Sequence, residues 1–299
     1  MTVERSENAF DTKFTNLTGG GVLPRSIECH KIANRIRMKM LDMVQFSNDT
    51  MHWGGSFSSA EIFAVLYKEV LNCINNELLE IERDKFLLSK GHAALGLYAT
   101  FNILGMLSDE QLSTYQKDGG ELSELMESNP TLGFETSGGS LGINLSYGAG
   151  LALLAKRKNY SYKTYVEVGD GELDEGSVWE AIMFASQQKL DNLILIVDAN
   201  TVQSDGFTKD IISWENLENR LKSFGWNTLA VDGHDCGELL DAFLNYSIKD
   251  MPLAIIANTI KGKGISFMEN NYLWHDKVIS KKELEIARGE IEENAKYGF

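Results

Sequence analysis

The sequence is poor in cysteine, proline and positive charge, and it has no long apolar run. Its three cysteines, Cys29, Cys73 and Cys236, lie far apart without the spacing of metal ligands, which predicts buried free thiols in a reducing cytosol. No stretch of about 18 consecutive apolar residues is present, and the first residues carry charges where a signal peptide needs an apolar segment. We therefore expect a cytoplasmic protein that does not enter a membrane.

Lys and Arg total 28 against 43 Asp and Glu, which gives a net charge of −15. Such a surface repels polyanions, so nucleic acid is not expected as a partner, although a local basic pocket for a phosphorylated small molecule is compatible with it. At 299 residues and 43% hydrophobic, the chain can bury a full core. Three prolines, no fixed repeat and no linker predict an N-terminal arm over residues 1–24 and a single domain over residues 25–299.

Apolar strand patterns alternate with helix patterns through the second half of the chain. Strands are predicted over residues 164–168, 193–198, 228–231 and 253–258, and helices over residues 175–189, 214–224 and 236–246. Earlier, helices are predicted over residues 27–44 and from Glu61 with Ser58 and Ser59 as caps, and a short strand from Lys85 leads to a helix near His92. This alternation predicts one α/β domain, a doubly wound parallel sheet with helices on both faces.

Two polar residues directly follow two of the predicted strands. Asp170 comes after the first, within Gly169-Asp170-Gly171, and Asn200 comes after the next. Parallel strands end at the same edge of a sheet, where ligands bind, so we expect the two side chains one strand spacing apart. With the Val202 carbonyl they offer the oxygen ligands that Mg²⁺ prefers, and the two glycines leave room for a diphosphate.

A Gly-Asp-Gly sequence is also a common turn, and for this motif alone that alternative stays open. Asn200, about 30 residues after Asp170, favours the metal site, because one βα unit between two parallel strands fixes the separation of these two residues. Other phosphate motifs fit less well. The pattern GxxxxGK[ST] is absent, and Gly148-Ala149-Gly150 lacks the third glycine of a dinucleotide fingerprint.

The stretch "GDGELDEGSVWEAIMFASQQKLDNLILIVDANTVQSDG" closely resembles the thiamine diphosphate motif of transketolases, in particular the separate N-terminal subunit of split, two-chain transketolases. Further motifs extend the resemblance over most of the chain: "HWGGSFSSAEIFAVLY", "LSKGHAALGLYATFNILG", "SGGSLG", "VDGHD" and "TIKGKGISFMENNYLWH". The resemblance implies the diphosphate-binding (PP) domain of the thiamine-diphosphate-binding fold. It also implies two cofactors, thiamine diphosphate and Mg²⁺.

The same resemblance implies a set of site residues. Mg²⁺ would be bound by the side chains of Asp170 and Asn200 and by the carbonyl of Val202. The implied cofactor-binding residues are these three together with His92, Leu141, Gly142, Gly171, Glu172 and His275. Glu175 would join a carboxylate network at a subunit interface and, with His52, His92 and His275, completes the implied catalytic set.

Three of the five histidines, His52, His92 and His275, match family positions that approach the cofactor or the substrate. A lone histidine is more often structural, but imidazole can donate to diphosphate oxygens or relay protons near neutral pH. We assign His92 and His275 to hydrogen bonds with diphosphate and substrate, and His52 to proton transfer or substrate orientation. His234 is expected to stabilise a turn.

The family's chemistry also requires a glutamate that protonates the aminopyrimidine and an aromatic pocket that holds this ring. The chain has no residues left for the pyrimidine-binding domain that carries them. The resemblance therefore implies a C-terminal partner subunit, with active sites at the interface and an α2β2 assembly. On this hypothesis the isolated chain is inactive.

Two departures from the family pattern bear on the substrate. Asn129-Pro130 stands where transketolases usually have His-Pro, and Ile143-Asn144 replaces the usual Gln-Gly after Gly142. Asparagine can form hydrogen bonds but cannot relay a proton at neutral pH. The departures argue against an ordinary pentose phosphate donor and favour a modified sugar or a 2-oxo acid.

The leading hypothesis is a transketolase-like enzyme that transfers a two-carbon ketol unit from a ketose to an aldehyde. The enzymatic alternative is the diphosphate-binding subunit of a 2-oxo acid decarboxylating or acyl-transferring enzyme, which would release carbon dioxide. A further alternative is a non-catalytic regulatory or scaffold subunit that keeps the fold. The Asp170/Asn200 pair and the three histidines count against this last reading.

Overall fold

The structure, a computed structural model, describes residues 22–47, 49–72 and 81–297. Cys73 and residues 1–21, most of the predicted arm, lie outside the described residues. The first helix, α1 (Val22–Asp42), begins before the predicted boundary at residue 25, because Pro24 stands in its first turn, where no intrahelical hydrogen bond is lost. Cys29 and Cys236 are buried free thiols.

The described part of the chain contains one sheet of five parallel strands. They are β1 (Lys85–Leu88), β2 (Thr164–Gly169), β3 (Leu193–Ala199), β4 (Asn227–Asp232) and β5 (Leu253–Asn258), and their order across the sheet is β1-β2-β3-β5-β4. The chain crosses over between strands through helices, as parallel pairing requires. The predicted parallel α/β sheet is confirmed.

The other helices, in chain order, are α2 (Gly54–Ser58), α3 (Ala60–Val65), α4 (Ala94–Ile103), α5 (Asp109–Leu112), α6 (Asn144–Lys158), α7 (Gly176–Gln187), α8 (Thr208–Ile211), α9 (Leu217–Ser223), α10 (Cys236–Asn245) and α11 (Lys281–Tyr297). A π-helical turn over Leu66–Val70 extends α3. None of the described helices combines the length and the apolar character needed to cross a bilayer.

Alternation along the strands divides the core into two layers, one on each face of the sheet. In β3, Leu193, Leu195 and Val197 pack into one layer, whereas Ile194 and Ile196 pack into the other. The first layer is completed by α6, α7 and α9, and the second by α1, α3, α4 and α10. Strands β2, β3 and β5 are thus almost entirely buried on both sides, which explains their largely apolar sequences, whereas the edge strand β4 is only partly buried.

Besides α1, two predicted helices differ from the observed ones at their starts. The helix predicted over residues 214–224 starts only at Leu217, because Asn216 adopts the left-handed conformation with φ of 59°. Ser58 and Ser59 were predicted as helix caps; Ser59 does hold the N-cap position of α3, but neither serine makes a side-chain cap hydrogen bond in α3 or the helix before it. Their hydroxyls donate instead to buried carboxylates, Ser58 to Asp198 at 2.7 Å and Ser59 to Glu167 at 2.6 Å.

Candidate functional site

The carboxyl ends of β2 and β3 lie side by side, with Gly169 paired to Asp198. Asp170, the next residue after β2, reaches across to the loop that follows β3. Its Oδ2 accepts from the Thr201 amide at 2.5 Å and its Oδ1 from the Gly171 amide at 2.8 Å. Burial raises the pKa of Asp170 to about 6, and the charge of Asp198 adds to this. A nearby cation would stabilise the ionised form.

Asn200 and Val202 present oxygens in the same loop. Asn200 Nδ2 donates to Asp198 Oδ2 at 2.8 Å, which assigns the amide orientation and leaves Asn200 Oδ1 as the acceptor, held by the Val202 amide at 3.1 Å. The structure therefore brings Asp170, Asn200 and Val202 together, as expected. Carboxylate, amide and carbonyl oxygens suit a hard cation such as Mg²⁺.

Lys261 is a site residue that the motif analysis did not assign. Its Nζ donates to the Val202 carbonyl at 2.8 Å and lies 2.9 Å from His275 Nδ1. Burial lowers the pKa of Lys261 to about 8. Lys261 is part of the motif "TIKGKGISFMENNYLWH", but the motif does not show where the side chain lies. The structure shows that Lys261 is buried beside the loop after β3, where its positive charge faces the expected diphosphate site.

A second lysine, Lys90, lies beneath the site and was also missed. Its Nζ contacts Asp198 Oδ2 at 2.5 Å and Glu167 Oε1 at 3.1 Å, and all three side chains are buried. It also donates to Ser59 Oγ at 2.5 Å and to the Gly55 carbonyl at 3.1 Å. Burial opposes its charge, but the two carboxylates outweigh burial and raise its pKa. Lys90 thus ties α2 and the start of α3 to the ends of the strands.

The three predicted histidines meet beside this edge. The ring centroids of His52, His92 and His275 are 5.5, 5.3 and 5.1 Å apart in pairs, although the residues come from three distant segments. Burial lowers the pKa of His92 well below its usual value, and burial with the Lys261 charge lowers that of His275 to about 3. These two rings are therefore neutral at physiological pH.

The Gly142 turn closes another side of the site. Gly142 has φ of +83°, and an added Cβ would lie 2.5 Å from Ser177 Oγ and 2.7 Å from Glu175 Cβ, so only glycine fits. Leu141 beside it is partly buried. At Gly171, an added Cβ would meet Gln203 Cγ at 2.8 Å. At both glycines, neighbouring side chains therefore already occupy the place of a Cβ atom.

The two glutamates predicted as site residues differ in burial: Glu172 is buried and Glu175 is exposed. Glu172 is buried, and its Oε1 accepts from the Gly142 amide at 2.7 Å and from the Ser89 hydroxyl, while its Oε2 accepts weakly from the Gly169 amide at 3.4 Å. Its carboxylate thus supports the Gly142 turn rather than facing an open space. Glu175 is exposed, at the start of α7.

Comparison with known proteins identifies the family of this chain. Residues 29–299 match the family described as "Transketolase, thiamine diphosphate binding domain". The chain belongs to this family. The site residues discussed above lie within the matched range, and the family resemblance inferred from the motifs is confirmed.

Named transketolase relatives cover much of the chain. A protein from Actinobacillus succinogenes, named as one subunit of an apulose-4-phosphate transketolase, is 39% identical over 266 residues, which are 89% of this chain and 96% of that protein. A 6-deoxy-6-sulfo-D-fructose transketolase subunit from a Clostridium species is 36% identical over 81% of this chain and 88% of that protein. Human transketolase is 37% identical over 87% of this chain but only 41% of its own length.

Solved transketolases share the fold. The crystal structure of transketolase from Campylobacter jejuni superposes with a TM-score of 0.80 at 29% identity, covering 88% of this chain and 42% of that one. The chain therefore spans about two fifths of that transketolase, whereas it spans nearly all of the apulose-4-phosphate transketolase subunit.

The structure also places four other positions discussed in the sequence analysis: Asn129, Ile143, Asn144 and His234. Asn129 forms an isolated bridge with Phe134. Ile143 is 53% exposed, and Asn144 is buried with its amide donating to the Ser137 carbonyl at 3.1 Å. His234, expected to stabilise a turn, makes longer connections, because its Nδ1 contacts Glu61 at 2.9 Å and its Nε2 accepts from the Ile260 amide at 2.8 Å.

Proposed function

We propose that the chain is the N-terminal subunit of a two-chain transketolase, which transfers a two-carbon ketol unit from a ketose to an aldehyde. The observation that carries this proposal is the meeting of one carboxylate, one amide oxygen and one carbonyl with a cluster of three histidines at one sheet edge. Similar proteins of nearly the same length are named as single subunits of transketolases, which supports it. The transketolase names also favour ketol transfer over 2-oxo acid decarboxylation.

Thiamine diphosphate, when bound with Mg²⁺, supplies the carbon nucleophile that carries the two-carbon unit. Asp170, Asn200 and Val202 would hold the metal through oxygen, and the metal would neutralise the charge that burial disfavours on Asp170. Lys261 would offer a positive charge to the diphosphate, and the backbones of Gly142 and Gly171 would contact it. Leu141 would line the same pocket, and Glu172 would hold the Gly142 turn in shape.

The histidine cluster would act on the substrate side. His92 and His275 are neutral, so each can donate one hydrogen bond to a phosphate or hydroxyl oxygen without adding charge. Lys261 contacts His275 Nδ1, which leaves Nε2 of that ring as the donor toward a ligand. His52 would orient the substrate or move its hydroxyl proton.

A partner subunit would cover the open side of the site. Exposed apolar side chains stand on and beside α6, which directly follows the Gly142 turn, and on α7, which packs against α6: Ile143, Tyr147, Leu154, Met183 and Phe184. Clustered exposed apolar groups mark interaction surfaces. We assign this surface, with the exposed Glu175 at its border, to contact with a C-terminal subunit that carries the pyrimidine-binding domain in an α2β2 assembly.

The names of the relatives suggest a modified sugar as the donor. Two of the similar subunits are named for apulose 4-phosphate and for 6-deoxy-6-sulfo-D-fructose, and this chain replaces the family His-Pro by Asn129-Pro130. We propose a ketose with an altered carbon skeleton or an altered anionic group as the donor class, acting in the cytoplasm.

The test combines the purified chain with candidate C-terminal subunits, thiamine diphosphate and Mg²⁺, and measures ketol transfer from ketose phosphates and carbon dioxide release from pyruvate. We expect transfer only when both chains are present, without carbon dioxide. Asp170→Asn should abolish Mg²⁺-dependent cofactor binding measured by calorimetry on the assembled complex, whereas the exposed Asp118→Asn should not. Turnover by the single chain, or decarboxylation of pyruvate, would contradict the proposal.

A further inference from the structure

A loop that none of the sequence motifs covers brings a carboxylate to the histidine cluster. The Met126 amide donates to the Gly91 carbonyl at 3.3 Å, and the Gly138 amide donates to the Met126 carbonyl at 2.7 Å. These bonds hold the loop beside the 3₁₀ turn that carries His92. As a result, the Glu124 side chain reaches His52.

The contact between these two side chains is short. His52 Nδ1 lies 2.8 Å from Glu124 Oε1. The geometry is off the ideal hydrogen-bond direction, yet both atoms are closed off from solvent, and neither has another hydrogen-bond partner among the described residues. Buried polar atoms are nearly always paired, and catalytic hydrogen bonds are often poorly aligned before substrate binds. The two atoms can satisfy each other only with a proton between them.

The surrounding charges place that proton on the ring. A carboxylate accepts and does not donate, so Nδ1 of His52 must carry the hydrogen. Asp276 adds a second negative charge, because ligand atoms of His52, Glu124 and Asp276 all lie within 4.8 Å of one another. The rings of His92 and His275 also face the imidazole, and both are neutral.

We propose that Glu124 is a positioning residue that holds His52 as the Nδ1–H tautomer and thereby makes Nε2 the proton acceptor for a substrate hydroxyl. The tautomer assignment follows from the contacts above, and the role of Nε2 rests on the proposed function. When the hydroxyl proton moves to Nε2, the ring becomes an imidazolium whose charge Glu124 and Asp276 stabilise. The same carboxylates repel phosphate and sulfonate, so the donor group at His52 is a neutral hydroxyl.

The first test needs neither cofactor nor partner. Long-range ¹⁵N NMR spectra of the full chain with labelled histidine, recorded at about pH 9, where imidazole is neutral, distinguish the two tautomers. A His52→Asn variant assigns the signal. We expect Nδ1–H in the wild type, Nε2–H in Glu124→Ala, and no change in Glu127→Ala, an exposed control on the same loop.

Two results would overturn the assignment: an Nε2–H ring at His52 in the wild type, or an unchanged tautomer in Glu124→Ala. Should Glu124→Ala fail to fold, the wild-type spectrum alone decides. This measurement stays informative even if no partner restores turnover, so the failure of the proposed function is distinguishable from the failure of the positioning role.

The second test uses the active two-chain complex. Glu124→Ala should lower kcat by about 10–100-fold with little change in the donor KM, because the carboxylate orients a proton acceptor and does not bind the donor. Glu124→Asp should restore part of the rate, and Asp276→Asn should have a smaller effect. An unchanged kcat in Glu124→Ala, or a loss confined to KM, would refute the role.

Discussion

Replacing Lys90 by methionine tests whether one buried ammonium holds the edge of the site together. Lys90 is 1% exposed, and it neutralises Asp198 at 2.5 Å and Glu167 at 3.1 Å. Methionine keeps much of the volume but removes the charge, so two carboxylates lose their cation in the interior. Removing one partner of a buried ion pair costs about 3–5 kcal/mol, and we expect a loss of that size in the free energy of unfolding at neutral pH.

The loss of stability in Lys90→Met should become smaller as the pH falls. Burial already raises the pKa of Glu167, and without Lys90 it rises further, so the folded variant prefers the protonated carboxyl. A carboxyl whose pKa is raised by folding destabilises the fold at pH values above that pKa, where it must ionise. The deficit of Lys90→Met relative to the wild type should therefore shrink as the pH falls from about 8 to about 5.

Urea titrations followed by circular dichroism at several pH values measure both effects. The matched control is Lys249→Met, since Lys249 is exposed and should change stability by less than about 0.5 kcal/mol. Equal stability of Lys90→Met and the wild type at neutral pH, or a deficit that grows on acidification, would refute the argument that this ammonium compensates two buried carboxylates.

Two further predictions concern the surroundings of the site. Burial opposes ionisation of Glu61, but Arg37 and His234 outweigh burial and lower the pKa of Glu61 far below its usual value. The ionised carboxylate therefore stabilises the fold above the unfolded-state pKa of about 4.3, and this stabilisation is lost as the pH falls below that value. Urea titrations should show Glu61→Gln less stable than the wild type at pH 7 and closer to it in acid; parallel pH curves would count against this. Gly142→Ala should weaken thiamine diphosphate binding in calorimetry on the assembled complex, because its φ is positive and its Cβ position is filled, whereas Gly150→Ala, in open space on α6, should leave binding unchanged.

The parallel strands and the positions of Asp170 and Asn200 could be predicted from the sequence because they depend on local patterns. Apolar runs mark β2, β3 and β5, and a polar residue placed directly after a strand in a parallel sheet must lie at its carboxyl edge. Asp170 and Asn200 satisfied both conditions, and the structure brings them together. The helix bounds were less accurate, because a single left-handed residue such as Asn216 delays a helix start.

The charged groups beneath and beside the site could not be predicted in this way. Lys90 and Asp198 are 108 residues apart, and Lys261 and Val202 are 59 apart, so no local pattern relates them. Ser58 was predicted as a helix cap because a serine just before a helix is a local sequence pattern. Its hydroxyl donates instead to Asp198, which lies 140 residues away in the sequence. Burial, which decides whether a lysine is a solvated surface group or a counter-ion, is a property of the folded chain.

The histidine cluster also has a consequence for biosynthesis. His52 and His92 leave the ribosome early, but Lys261 and His275 follow Asn258, the last residue of β5. A nascent chain can therefore complete its entire sheet and most of the packing around it while its ligand pocket is still unfinished. Cofactor capture that uses Lys261 and His275 must wait until the segment after β5 has been translated, which makes it a marker of a completed pocket rather than of a folded scaffold.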